Sequence, residues 1–306
     1  MSYHLELHSP SAAVVSMLVI LTCGACAPVR LPAGPGKHAP GTVIETYWEA
    51  VERYCSFLSI DSSAVVTARV SVRGRSNGRR VLGRVWIGAD HLNGSLRIES
   101  ADAVPPHFVL TVDRTNLVSG GASDRDATLY LPRQQMIVRR ESSRVLLQAV
   151  LGLPLTTQDF TSAFTGCPVV SGMVEERTHG PNMMRLATTR PDLHARAIFL
   201  RRQTQRSPWT LLAMTRYIPG QQFQWRAEYH RPAGVVYRAV RIVGEDESDN
   251  RRPPFDVKLA LNDIRVAPLV NEGTFSLQVP SSVRIVSFET LQRQRSQPSA
   301  PLLNDD

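Results

Sequence analysis

The sequence predicts a mainly β (α+β) fold, built from consecutive antiparallel strands with one helix in front and a helical insert in the middle. Three observations carry this. From Ser63 onward, apolar and polar residues alternate with a period of two. Turn-forming residues separate the alternating runs. One internal stretch, residues 141–166, abandons that period for a helical one.

The amino terminus reads as an export signal. Ser11 to Thr22 is an uncharged apolar run, too short for a comfortable membrane span of about 20 residues but suited to the apolar part of a secretory signal. Small residues then lead to Cys26, and Ala25-Cys26 resembles a lipobox, which makes residues 1–25 the cleaved segment and Cys26 the lipidated residue. An ordinary cleaved signal with incidental cysteines is the alternative. Palmitate-type acylation would anchor the chain, each buried CH₂ contributing about 0.8 kcal/mol. Ala27 is no retention aspartate, so the expected place is the periplasmic side of the outer membrane. Residues 26–41 are rich in Pro and Gly and read as a tether.

The folded domain is expected over residues 42–291. Ile44, Tyr47, Trp48, Val51 and Tyr54 share one face of a helix starting near Thr42. Val66, Ala68, Val70 and Val72 then alternate with Thr67, Arg69, Ser71 and Arg73, and Asn77-Gly78 predicts a tight hairpin turn. Further strands are expected through Val85 and Ile87, Leu96 and Ile98, Phe108, Leu110 and Val112, Leu129 and Leu131, and Met136 to Arg140. After the insert come Phe223, Trp225, Ala227 and Tyr229, then Val257, Leu259 and Leu261, then Phe275, Leu277 and Val279. Short turns between so many strands imply antiparallel pairing.

In the insert, Val145, Leu146, Ala149 and Val150 suit a helix ending at Gly152. Thr157 to Phe164 suits a second, with Thr156 or Thr157 as its cap and Asp159 near its positive end. Residues 292–306 are polar and read as a disordered tail. With Cys23 and Cys26 assigned to the signal, Cys55 and Cys167 remain, either as a disulfide in an oxidising compartment or as two buried thiols.

The net charge of +8 is carried almost entirely by arginine, with Lys37 and Lys258 the only lysines. The charges are scattered along strands rather than gathered into a stripe, which argues against nucleic acid as a partner. The eight histidines show no metal-ligand spacing. There is no nucleophile elbow, and Glu245-Asp246-Glu247-Ser248-Asp249 lacks the glycine and spacing of a calcium loop. The sequence therefore points to no enzyme, cofactor or metal.

The arrangement resembles the LolA/LolB superfamily of periplasmic lipoprotein carriers and their lipid-anchored relatives. Leu129-Tyr130-Leu131-Pro132, the run Leu146 to Leu155, Phe164-Thr165-Gly166 and the stretch Asn271 to Pro280 carry the resemblance. It implies an unclosed antiparallel β-barrel, with helices covering the open side like a lid over an apolar cavity for acyl chains. It supplies no counterpart of the arginine that locks the soluble carrier's lid. The expected cavity and lid residues are Val85, Ile87, Leu96, Ile98, Phe108, Leu110, Val112, Leu129, Leu131, Leu146, Val150, Leu151, Leu153, Phe223 and Trp225, with Arg139, Arg140 and Arg144 at the rim for an anionic headgroup. The function expected is binding of a lipid, acyl chain or lipoprotein in the envelope. The alternative is an envelope scaffold with a filled core that docks a protein partner.

Overall fold

The computed structural model of the chain describes residues 29–32, 36–38, 64–90, 94–102, 104–112, 126–167, 174–190, 193–207, 209–217, 224–233, 236–245, 253–268 and 274–296. The chain divides into two units, residues 1–34 and 35–306. The described part of the first, residues 29–32, has no regular structure. The expected signal, Cys26 and the helix from Thr42 lie outside the described residues.

The described strands of the second unit form a single sheet. Its strands are β1 (Lys37–His38), β2 (Ala64–Ser76), β3 (Arg79–Asp90), β4 (Ser95–Ser100), β5 (Val109–Val112), β6 (Asp126–Leu131) and β7 (Met136–Ser142), then β8 (Val174–Thr178), β9 (Met183–Arg190), β10 (Leu193–Arg201), β11 (Thr210–Tyr217), β12 (Gln224–Ala233), β13 (Val236–Glu245), β14 (Phe255–Pro268) and β15 (Arg284–Ile285). Their order is β1-β8-β9-β10-β11-β12-β13-β14-β2-β3-β4-β5-β6-β7-β15, and among the described residues the two ends do not pair. Neighbours run antiparallel except β7 and β15, which are parallel. This is the mainly β, unclosed architecture expected from the sequence.

Long central strands hold the sheet together. β2 pairs with β3 from Val65–Asp90 to Ser76–Arg79, and on its other side with β14 from Phe255–Ser76 to Pro268–Ala64. The β2–β3 hairpin turns at Asn77 and Gly78, with φ of 48° and 75°. Both central residues need positive φ in this turn type, which Asn and Gly tolerate best. One face of the central strands is apolar and buried: Val66, Ala68, Val70 and Val72 on β2, Leu96 and Ile98 on β4, Val257, Leu259 and Leu261 on β14. These rows meet in one core cluster.

Among the described residues, three α-helices accompany the sheet: α1 (Ser143–Leu151), α2 (Thr157–Thr165) and α3 (Phe288–Ser296). The first two follow β7 directly, as the insert predicted. α3 runs on to Ser296, past the point where the polar tail was expected to begin.

One expected strand is absent. Residues 275–280 form no ladder. Instead the Arg97 guanidinium, on β4, donates to the carbonyls of Thr274 and Ser276 at 3.1 and 3.2 Å. Phe275 is buried beside Gly88 of β3. A side chain supplies the hydrogen bonds that a neighbouring strand would have given, so the alternation there serves docking of a single segment.

Candidate functional site

The insert turns inward. Ser142 caps α1, accepting from Val145 N at 3.4 Å. Gly152 ends it with φ of 72°, its N–H donating to the Gln148 carbonyl at 2.9 Å. Left-handed caps favour glycine because no Cβ clashes there. Here a Cβ would also lie 2.6 Å from Val81 Cγ2 and 2.9 Å from Ser76 Cβ, so the cap presses directly on the β2–β3 hairpin. Leu153-Pro154-Leu155 leads without helix to Thr156, the N-cap of α2 that the sequence suggested.

Thr156 and Asp159 cap α2 reciprocally. The Asp159 N–H donates to Thr156 Oγ1 at 3.2 Å, and the Thr156 hydroxyl donates to Asp159 Oδ2 at 2.9 Å. The Asp159 carboxylate also meets the positive end of the helix dipole. Its other oxygen contacts Arg216 Nη1, on β11; both side chains are 2% exposed. At the far end of α2, the Tyr229 hydroxyl on β12 donates to the Ala163 carbonyl. Thr157 N donates to Ser143 Oγ at 3.3 Å, tying the two helices together.

α2 is enclosed rather than laid over the surface. Of its nine residues, TQDFTSAFT, all but Gln158 are buried. Phe160 and Phe164 stack with ring centroids 6.0 Å apart and fill the hollow of the sheet together with Leu146, Leu147, Leu151, Leu153 and Leu155. The expected lid is thus a cover, α1, joined to a plug, α2. Between the plug and β10–β12 is a narrow crevice of about 260 Å³, lined by Asp159, Ser162, Ala197, Ile198, Met214, Thr215 and Trp225. Only about 10 Å³ of it is wide enough for the centre of a water molecule, close to the threshold for holding one water.

The expected cavity residues do come together. Val85, Ile87, Leu96, Ile98, Leu110, Val112, Leu129, Leu131, Leu146, Leu151, Leu153 and Trp225 belong to the one buried cluster, and Phe108 and Val150 are partly buried against it. Phe223 lies outside the described residues. Of the rim arginines, Arg139 and Arg140 are exposed and Arg144 is half-buried. Cys167, just past α2, is buried and disulfide-bonded. Its partner is outside the described residues, as are Cys23, Cys26 and Cys55.

Sequence reasoning missed the polar centre of the site. Arg216 lies directly opposite Trp225 in the β11–β12 pairing, so it points to the same face as that inward aromatic. The signal was available: Ala213 to Tyr217 can be set in register with the clean alternation of β12. Burial pushes the Arg216 guanidinium down to about 10, and the charge of Arg144 adds to this. Among the described residues, Trp225 Nε1, Ser162 Oγ and Thr157 Oγ1 are buried without a hydrogen-bond partner.

The chain has low-identity similarity to solved structures. The chain is similar to a DUF1329 family protein from Desulfovibrio piger, with a TM-score of 0.46 at 12% identity, over 76% of this chain and 97% of that one. It is similar to a domain from Vibrio parahaemolyticus described as an outer membrane lipoprotein-sorting protein, with a TM-score of 0.45 at 11% identity, over 74% of this chain and 95% of that one. A LolA superfamily protein from Nitrosomonas europaea gives a TM-score of 0.44 at 11% identity, over 75% of this chain and 97% of that one. No family model and no curated protein matches the chain.

Proposed function

We propose that this protein is a non-enzymatic carrier that shelters an acyl chain in the hollow of its sheet, the ligand taking the place of α2. The enclosure of that helix is the observation that carries the reading. A helix buried on every side ordinarily has an apolar sequence, yet four of the nine residues of α2 are Thr or Ser. Such a helix has weak intrinsic propensity, and its gain from apolar burial is confined to Phe160, Ala163 and Phe164. It is suited to withdraw, because low-stability elements are the ones that open. The space left by Phe160 and Phe164 is bordered by the insert leucines and by apolar residues of the sheet, which is what a hydrocarbon tail requires. Among the described residues the edges at β1 and β15 are unpaired, which leaves the barrel unclosed.

Cys26 is the anchor in this reading, acylated and held at the periplasmic face of the outer membrane. Cys55 is the disulfide partner of Cys167. That bond sits just past α2, so it fixes the C-terminal end of the plug and leaves the Asp159 end as the one that swings. The ligand is a lipid or the acyl chain of a lipoprotein.

The filled interior favours a second reading, an envelope scaffold whose core never opens. Native mass spectrometry of the purified protein after incubation with phospholipid vesicles separates the two. A carrier acquires masses of lipid or fatty acid. A protein that stays empty and recovers a stoichiometric protein partner is a scaffold.

A further inference from the structure

Resting on the carrier reading, a more specific inference concerns what sort of ligand enters. We propose that Arg216 is a headgroup anchor: when α2 withdraws, the guanidinium exchanges the Asp159 carboxylate for the carboxylate of a fatty acid, whose chain fills the hollow.

The geometry begins with placement. Arg216 lies in the inward row of β11 and is 2% exposed, among apolar neighbours that include Met214 and Trp225. Its carboxylate partner is on α2, the element that must leave for a chain to enter. Withdrawal with Asp159 strands a cation in an apolar interior, and an uncompensated buried charge is strongly unfavourable. Arg144, near enough to disfavour the charge on Arg216, makes that cost larger. A neutral chain leaves the charge bare. A fatty acid brings its own carboxylate and restores neutrality, with a planar group that matches the guanidinium fork.

One further donor stands ready. Trp225 Nε1 lines the same crevice, is buried without a partner, and stays with the sheet when α2 moves. A carboxylate beside Arg216 has a lone pair for this donor, whereas a hydrocarbon leaves it unsatisfied. The pair is not required for stability as such, since well-packed apolar residues commonly replace a buried ion pair without loss. Its retention in a carrier is explained by exchange. The exposed Arg139 and Arg140, expected as headgroup contacts, are then not needed for it.

The test uses the purified full-length protein with cis-parinaric acid and its methyl ester, which have the same fluorescent chain and differ only in charge. The acid should bind about tenfold tighter or more, the order a charge-assisted bidentate pair supplies. The variant Arg216→Met/Asp159→Leu removes both charges together and so avoids stranding either. It should bind acid and ester alike, through loss of affinity for the acid, with circular dichroism confirming the fold. Equal binding of acid and ester by the unmodified protein overturns the proposal and leaves the carrier reading standing. A preference for the acid that persists in the double variant also overturns it. Binding of neither probe rejects both the carrier reading and the anchor.

Discussion

The Tyr229 hydroxyl, projecting from β12, donates to the carbonyl of Ala163 at 3.0 Å. That carbonyl belongs to the last turn of α2, where carbonyls have no partner within the helix. The sheet therefore supplies a bond that the plug cannot supply for itself. Tyr229→Phe keeps the ring and its packing against Tyr237, and leaves the carbonyl unsatisfied. We expect it to cost about 1–3 kcal/mol, measured by urea unfolding. Amide exchange in α2 should quicken more than in β2 or β14.

Asp159 and Arg216 hold the other end. Arg216→Met alone removes the guanidinium that contacts the buried Asp159 carboxylate and should cost about 3–5 kcal/mol. The double variant with Asp159→Leu should regain most of that loss. Denaturation midpoints of the two proteins decide the matter: equal losses would mean that packing, not charge, dominates the site.

Glycine substitutions distinguish strain from collision. Gly78 has φ of 75° and open space around a Cβ, so Gly78→Ala should cost only the left-handed conformation, about 1 kcal/mol. Gly152 has a similar φ of 72°, but its Cβ would strike Val81 and Ser76. Gly152→Ala should therefore cost about 1–3 kcal/mol more than Gly78→Ala. Thermal unfolding of the two variants gives the comparison.

Alkaline pH isolates Tyr237. Burial pushes its phenol up, against a smaller opposing effect of a backbone hydrogen bond with Leu211. An acid whose folded value lies above its unfolded value of about 10 contributes stability below that pH and loses it as the pH rises. Arg216 works in the opposite sense: its folded value of about 10 lies below the unfolded one, so its contribution improves above pH 10. The difference between the unmodified protein and Tyr237→Phe removes the arginine's share. The unmodified protein should lose stability relative to that variant as pH rises past about 10, as melting curves recorded on both sides of that pH would show.

What the sequence made legible was what depends on local chemistry. Asn77-Gly78 marked its hairpin, Gly152 and Thr156 marked helix ends, and the valines of β2 named the buried face. Strands β8 to β11 went unassigned, because polar and apolar residues mix there: β10 reads LHARAIFLR and β9 reads MMRLATTR. Alternation placed Glu228 on the outer face of β12, which it occupies. It is nevertheless 0% exposed, its carboxylate 3.0 Å from Arg226 and 3.4 Å from Arg241. Such burial depends on what charged neighbours cover, and a period of two carries no information about that. The Arg216–Asp159 pair joins residues far apart in the chain, so it emerges only once β11 is in register with β12 and α2 has folded inward. The segment around Phe275 shows the converse, an alternating pattern that docks through the side chain of Arg97 instead of pairing.

Withdrawal of α2 is the claim on which the carrier rests, and hydrogen–deuterium exchange with and without a saturating fatty acid tests it most directly. Ligand should raise exchange in Thr157 to Thr165 while β2, β3 and β14 stay protected. Unchanged or increased protection of α2 in a protein shown to hold the fatty acid would contradict it.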